Sequence, residues 1–470
     1  MFEKFEKVCR DVSNKIAFIG SDGAITYSEL LDKVCFYSEL LKKQGTGPVV
    51  ISGHKETDFV VAILSCIKAK RTYIPVDLFM PESRLKYIIE LTNSDIIIQC
   101  SDFKDLSMES ITLSQLTKYA DETNKESDNE TAYIIFTSGS TGNPKGVPIS
   151  YSNLMNFIDW ISSEKMLGEY DNAIVLNQAS FSFDLSVADL FYSLFNGHTL
   201  VAIANSEVND HNNIVDKIKN HRVEICVVTP TFMRFCLLFS DFNCDTLPDL
   251  KCIYFCGERL EKTLVKKLFK RFPDLHIINA YGPTEATSAV SGITINQGML
   301  EEEILPVGSC DNFATEIFID NGEIVLRGKS VFDGYLGGLK GGHYNDQEVN
   351  CFKTGDIGFI KENKLYCLGR LDSQVKYKGY RIELTDIESN ILSCNGVIEC
   401  AVIPMKNNNG EVKFIKAYVV LNNNFTIENV REQLIEKLPY YMIPKVFSEL
   451  QQLPVNENKK IDRVRLQEYD

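Results

Sequence analysis

Tryptophan is nearly absent, with one in 470 residues, and no uninterrupted apolar run approaches the roughly 18 residues that a membrane span requires. The opening segment Met1-Phe2-Glu3-Lys4-Phe5-Glu6-Lys7 lacks a basic stretch followed by an apolar one. Neither a secretory leader nor a membrane span is therefore predicted, and a cytoplasmic location is expected. Positive charge is in deficit: 49 Lys plus Arg against 64 Asp plus Glu leaves a net −15. Broad attraction to nucleic-acid phosphate or anionic lipid is not expected, and any polyanion must meet a local cluster. The six histidines form no ligand-like group, and the nearest cysteine pairs, Cys252/Cys256 and Cys394/Cys400, lack the two-residue spacing of zinc knuckles and redox dithiols. The cysteines read as small buried hydrophobes in a reducing compartment. What is present, 44% hydrophobic and 24% charged residues, is the balance of a folded protein, and the length predicts more than one domain.

Periodicity supplies the fold class. From Ser28 to Lys43, Leu30, Leu31, Val34 and Leu41 recur at helical spacing before Gly45. Short apolar runs then alternate with helical patterns: Val49–Ile51, Asp95–Gln99, Tyr133–Phe136, Ile174–Leu176, Thr199–Ile203, Val223–Val228, Cys252–Phe255 and His276–Asn279. This predicts an α/β chain whose large N-terminal domain, residues 1–370, holds parallel β-sheets covered by helices. From about 314 to 370 the segments shorten into a β-rich subdomain of antiparallel strands. Residues 371–470, with strands at Glu399–Met405 and Phe414–Leu421 and a helix near Thr426–Leu438, predict a small mobile α/β C-terminal domain.

The strand Tyr133–Phe136 runs directly into Thr137-Ser138-Gly139-Ser140-Thr141-Gly142-Asn143-Pro144-Lys145-Gly146. Glycines let backbone N–H groups approach an anion, hydroxyls add donors, and Lys145 adds charge, so this loop has the chemistry of a polyphosphate cradle. It is not a Walker A loop, in which Gly-Lys is followed by Ser or Thr.

At this loop the chain resembles the adenylate-forming (ANL) superfamily: acyl-CoA synthetases, luciferases and the adenylation domains of peptide synthetases. The resemblance repeats in order at Thr26–Leu30, Tyr73–Asp77, Phe183–Val187, Tyr281-Gly282-Pro283-Thr284-Glu285, Gly334-Tyr335-Leu336, Lys353–Asp356, Gly369–Asp372, Gly379–Leu384, Leu438–Pro444 and Lys460-Ile461-Asp462-Arg463. Each match alone is weak; the ordered series spans most of the chain. It implies two half-reactions. A carboxylate has too poor a leaving group to acylate a thiol directly, so it first attacks the α-phosphate of ATP, and the charge developing on phosphorus needs cations. The resemblance implies that Glu285 holds Mg²⁺ and that Thr284 grips phosphate together with Thr137, Ser138, Gly139, Ser140, Thr141, Gly142 and Lys145. It further implies that Asn279, Tyr281 and Gly282 bind the nucleotide, with Tyr281 against adenine, that Asp356 and Arg370 take the ribose hydroxyls, and that Lys460 bridges substrate carboxylate and nucleotide. Lys459 departs from the family's glycine at that place. Asp372 matches the pivot about which the family's C-terminal domain turns between half-reactions.

Asp184 is the discriminating residue for the acid. Amino-acid-activating members carry Asp here because a buried carboxylate can pair with an α-ammonium group. The competing reading is a helix cap for Leu185 onward. Within the amino-acid group the motifs around Asp184, Cys256 and Tyr281 are most similar to the ligases that load D-alanine onto a carrier for cell-wall teichoic acids. That similarity implies a substrate pocket of Asp184, Leu185, Ala188, Cys256, Ile278 and Ala280. Ala188 replaces the usual Met and Ala280 a frequent Thr, which widens the pocket. A stand-alone enzyme for a larger amino acid in nonribosomal peptide synthesis therefore stays open, as does an aryl- or acyl-CoA ligase. Leu336-Gly337-Gly338-Leu339-Lys340 has Lys340 where a carrier's modified serine belongs, so the phosphopantetheinylated carrier protein is expected to be separate.

Overall fold

The computed structural model describes residues 1–101, 110–118, 129–139, 142–204, 206–312, 314–339, 341–372, 374–407, 410–422, 424–454 and 461–469. The chain is mixed α/β and forms two compact units. The first comprises Met1–Leu78, Thr92–Ile135 and Val147–Leu371; the second comprises Phe79–Leu91, Phe136–Gly146 and Asp372–Asp470.

In the first unit the amphipathic pattern near residue 28 becomes the helix Tyr27–Gln44, burying Leu30, Val34 and Leu41. It starts where it does because Thr26 and Glu29 form a reciprocal capping box, the Thr26 side chain accepting from the Glu29 N–H and the Glu29 carboxylate from the Thr26 N–H. The large sheet has eight strands in the order Ser291–Thr294, His276–Tyr281, Cys252–Phe255, Ile225–Val228, Ile174–Asn177, Thr199–Ala202, Ile16–Ile19, Ala24–Thr26. Every residue of Ile225–Val228 and Cys252–Phe255 is buried, as continuous apolar runs covered on both faces must be. The strands from His276–Tyr281 to Ile174–Asn177 in this order are parallel neighbours, so their carboxyl ends share one sheet edge, where ligands of open α/β sheets bind. The two outer strands are antiparallel, which short segments of three or four residues gave no periodicity to predict.

A five-stranded sheet follows the order Ile96–Gln99, Val49–Gly53, Tyr73–Asp77, Thr131–Thr137, Lys145–Ser150. The β-rich region is antiparallel as expected, with Val349–Lys361 pairing Glu323–Gly328 and Lys364–Arg370.

In the second unit a hairpin, Gln374–Tyr377 with Tyr380–Glu383, leads into helix Leu384–Leu392. A three-stranded sheet orders Val397–Lys406, Val412–Leu421 and Val446–Glu449. The following helix is shorter than the sequence pattern suggests: Thr426 caps it, and it ends at Ile435, ahead of the break enforced by Pro439.

Candidate functional site

Asp184 ends the loop that leaves strand Ile174–Asn177 and stands at the N-cap of helix Leu185–Phe195, yet its side chain makes no capping bond. Its carboxylate instead accepts from the Thr284 hydroxyl at 2.6 Å. The helix-cap alternative is therefore not realised. Leu185 and Ala188 lie buried on the first turns of this helix. Cys256 follows strand Cys252–Phe255 directly; Phe255 pairs with Asn279 and Tyr254 with Ile278, so Cys256 and Ala280 each come one residue after the last paired position of neighbouring strands. Leu185, Ala188, Cys256, Ile278 and Ala280 all pack into one apolar cluster, while Ile253, Phe255 and Ile277 alternate into another on the opposite sheet face. The buried Cys256 thiol lies 3.9 Å from the Ser288 carbonyl.

The loop that carries Thr284 is tightly folded. A short 3-10 turn, Thr284–Ala286, leads into Thr287 and Ser288, which both have positive φ (60° and 71°). A β-branched residue rarely adopts this geometry, and such strain concentrates at functional sites. The Thr287 hydroxyl donates to the Ser330 carbonyl at 3.1 Å and helps hold it. Gly282 is required because a Cβ there would lie 2.5 Å from the Ala289 Cα. Glu285 is fully buried and accepts from the Tyr335 hydroxyl at 2.5 Å. Tyr335 was visible in the sequence only as part of a motif, without a role. The Asn279 amide, expected in the nucleotide-binding set, donates to the Pro306 carbonyl at 2.7 Å, tying the strand to the next loop.

Asp356 and Arg370 oppose each other across a strand pair, and the Arg370 guanidinium donates to one carboxylate oxygen of Asp356 at 2.8 Å. The other oxygen accepts from the Tyr281 hydroxyl at 2.6 Å. Burial, with Asp356 adding to it, drives the Tyr281 phenol well above its ordinary pKa, so it stays a donor. The structure thus joins Tyr281, Asp356 and Arg370 into one polar cluster, and Asp184 with Thr284 into another. Carboxylate and hydroxyl donors at Glu285, Asp184 and Thr284 are the hard oxygens that Mg²⁺ prefers. Among the described residues no group of three or more His, Cys, Asp or Glu could hold a metal alone.

The phosphate-type loop belongs to the second unit. The Ser138 hydroxyl donates to the Arg381 carbonyl at 3.0 Å and accepts from the Glu383 N–H at 2.8 Å. Asn390 donates to the Gly142 carbonyl at 3.3 Å. A Cβ on Gly139 would lie 2.2 Å from the Asn143 carbonyl, and Gly142 has a φ of 86°, so both glycines are demanded by the turn. Thr137 ends the preceding strand and Lys145 begins the next. Helix Glu82–Thr92 contributes Arg84, whose guanidinium grips the fully buried Asp386 at 2.9 and 3.1 Å and donates to the Lys437 carbonyl at 3.0 Å. Burial raises the Asp386 carboxyl against the opposing pull of Arg84; burial also raises Glu383, against Gln374 and Lys145. Asp372 accepts from the Gln374 N–H at 3.1 Å, immediately after the division between the units. Ser140, Thr141, Lys459 and Lys460 lie outside the described residues, as does Lys340.

Among the described residues no helix is long and apolar enough to cross a membrane. Residues 5–336 match the family model described as AMP-binding enzyme, and residues 386–460 match that of the AMP-binding enzyme C-terminal domain. The D-alanine--D-alanyl carrier protein ligase of Bacillus cytotoxicus is 33% identical over 99% of this chain and 98% of its own. The enzyme of the same name from Bacillus velezensis is 35% identical over 96% of each chain. Among solved structures, the Vibrio cholerae adenylation domain AlmE in complex with glycyl-adenosine-5'-phosphate superposes with a TM-score of 0.84 at 23% identity, covering 100% of this chain and 97% of that one. The last similarity bears on the fold.

Proposed function

Because the chain belongs to the AMP-binding enzyme family, we propose that it is an ATP-dependent, AMP-forming ligase that activates a small amino acid, D-alanine before others, and passes it to the phosphopantetheine thiol of a separate carrier protein. In the first half-reaction the amino-acid carboxylate attacks the α-phosphate of ATP and expels pyrophosphate. In the second the carrier thiolate attacks the acyl carbon and expels AMP.

The observation that carries this reading is the Asp184 carboxylate, which makes no capping bond to the helix it precedes and accepts from the Thr284 hydroxyl at the carboxyl edge of the parallel strands. An α-ammonium group is the natural partner for such a carboxylate. The carrier ligases named above, similar over nearly the whole chain, support D-alanine as the acid. Cys256, Ala188 and Ala280, buried in one apolar cluster, bound the side-chain end. On this reading Tyr281 borders adenine while Asp356 and Arg370 take the ribose hydroxyls. Glu285 holds Mg²⁺, which when bound neutralises phosphate charge. The loop from Thr137 to Lys145 supplies N–H, hydroxyl and ammonium donors to the phosphates. Lys460 provides the cation between the carboxylate and the nucleotide, a task suited to a compact charge on a long stem. Residues 1–370 form the adenylation core, 371–470 the mobile part, and Asp372 is the pivot between half-reactions.

The test is amino-acid-dependent ATP–pyrophosphate exchange over D-alanine, L-alanine, glycine, larger D- and L-amino acids and several aryl acids. Dominant exchange with D-alanine is expected. Strongest exchange with a larger amino acid would overturn the substrate assignment, and exchange with aryl acids alone would overturn the ammonium pairing by Asp184.

A further inference from the structure

Lys55 is fully buried, outside every motif that identified the family, and none of the roles above uses it. It lies between strand Val49–Gly53 and helix Thr57–Lys68, one residue before the helix N-cap Glu56. A cation at this place is opposed twice, by loss of water and by the positive end of the helix. Burial pushes the Lys55 ammonium down to about 7 and the Asp189 carboxyl up to about 8, each partly offset by the other. A well-packed apolar side chain would serve stability as well or better, so the lysine calls for another explanation.

Its contacts converge on the segment that ends at Asp184. The ammonium donates to the Asn177 side-chain oxygen and to the Ala179 carbonyl, and lies 4.3 Å from the centroid of the Phe181 ring. Asn177 passes the contact on, its amide donating to Asp189 at 2.8 Å and to the Ala179 carbonyl at 3.1 Å. Asp189 is buried on helix Leu185–Phe195, next to Ala188. Phe181 packs on Phe59 and Phe18, and Ser180 donates to Asp77 at 2.8 Å. One ammonium thus touches the connection from strand Ile174–Asn177 at Asn177, Ala179 and Phe181, and reaches the helix at Asp189 through Asn177.

We infer that Lys55 is a positioning residue for amino-acid recognition: by fastening Asn177, Ala179 and Phe181, and Asp189 through Asn177, it sets where Asp184 meets the α-ammonium group. This rests on the proposed role of Asp184.

The test measures pyrophosphate exchange and thermal unfolding for the full-length wild type, Lys55→Met and Lys55→Met/Asp189→Asn, the double variant removing the carboxylate that a lone Lys55→Met would strand. Loss of positioning predicts an amino-acid KM raised about tenfold or more in both variants, with the ATP KM within about twofold of wild type, even where the double variant regains the wild-type Tm. An amino-acid KM that stays at the wild-type value in Lys55→Met, or returns to it in the double variant together with Tm, would overturn the inference and leave Lys55 a packing residue. If Lys55→Met does not fold, the double variant alone decides. A wild type with no amino-acid-dependent exchange would instead break the underlying reading of Asp184.

Discussion

The two units prepare their functional groups differently. In the first, the groups assigned to amino acid, metal and nucleoside are oriented by neighbouring hydroxyls and a guanidinium: Thr284 on Asp184, Tyr335 on Glu285, Tyr281 and Arg370 on Asp356. In the second, the Ser138 hydroxyl of the phosphate-type loop is engaged with the backbone of Arg381 and Glu383. The buried charges differ too. Lys55 is a point charge that burial brings close to titration, whereas the Arg84 guanidinium holds Asp386 with two bonds. On the proposed reading, the groups of the first region are held in place for their ligands by neighbouring side chains. In the other, the Arg84–Asp386 clamp fastens the framework beside a loop whose Ser138 hydroxyl is engaged by the backbone.

Breaking the clamp should give the largest effect. Arg84→Met strands the buried Asp386 and is expected to destabilise the second unit by about 3–5 kcal/mol. Hydrogen exchange should report this in helix Leu384–Leu392, with the large sheet of the first unit unchanged; equal loosening of both would erase the contrast. Next comes Lys460→Ala, expected to lower pyrophosphate exchange about 10²–10³-fold through lost electrostatic stabilisation, with amino-acid KM little changed. Asp184→Asn should do the reverse, raising the amino-acid KM and reducing kcat/KM by about 2–3 kcal/mol, roughly 30–150-fold, with ATP KM preserved.

The smallest effect is on pH dependence and belongs to the first unit. His198 is buried, accepts from the Ala173 N–H at 3.1 Å, and is pushed down to about 4 by burial, with Lys15 adding to it. The unfolded chain binds a proton near 6.5 that the folded state refuses until about pH 4, so this group's contribution is present above 6.5 and lost as pH falls through that window. Relative to His198→Asn, the wild type should lose about 1.5 kcal/mol between pH 6.5 and 5 in chemical denaturation. Parallel curves for the two proteins would contradict this.

What the sequence made legible follows from locality. Asp184, Asp356, Arg370 and the loop from Thr137 to Lys145 sit in compact motifs whose residue types carry their chemistry, and the sheet strands announce themselves by apolar runs. The tie from Tyr335 to Glu285 spans 50 positions, and that from Ser138 to Glu383 spans 245. No local pattern encodes such pairings. Lys55 looked like any charged residue ahead of a helix, because burial is a tertiary property. The hydroxyl of Thr284, read as a phosphate ligand, is shared with Asp184, and the amide of Asn279 is engaged with Pro306.

The central claim, that an amino-acid carboxylate attacks the α-phosphate of ATP, is tested most directly with heavy-oxygen-labelled D-alanine carboxylate, ATP and the phosphopantetheinylated carrier, followed by mass analysis of the released nucleotide and phosphate. One heavy oxygen is expected in the phosphate of AMP, with none in pyrophosphate. Label in inorganic phosphate with release of ADP, or turnover that leaves AMP unlabelled, would contradict it.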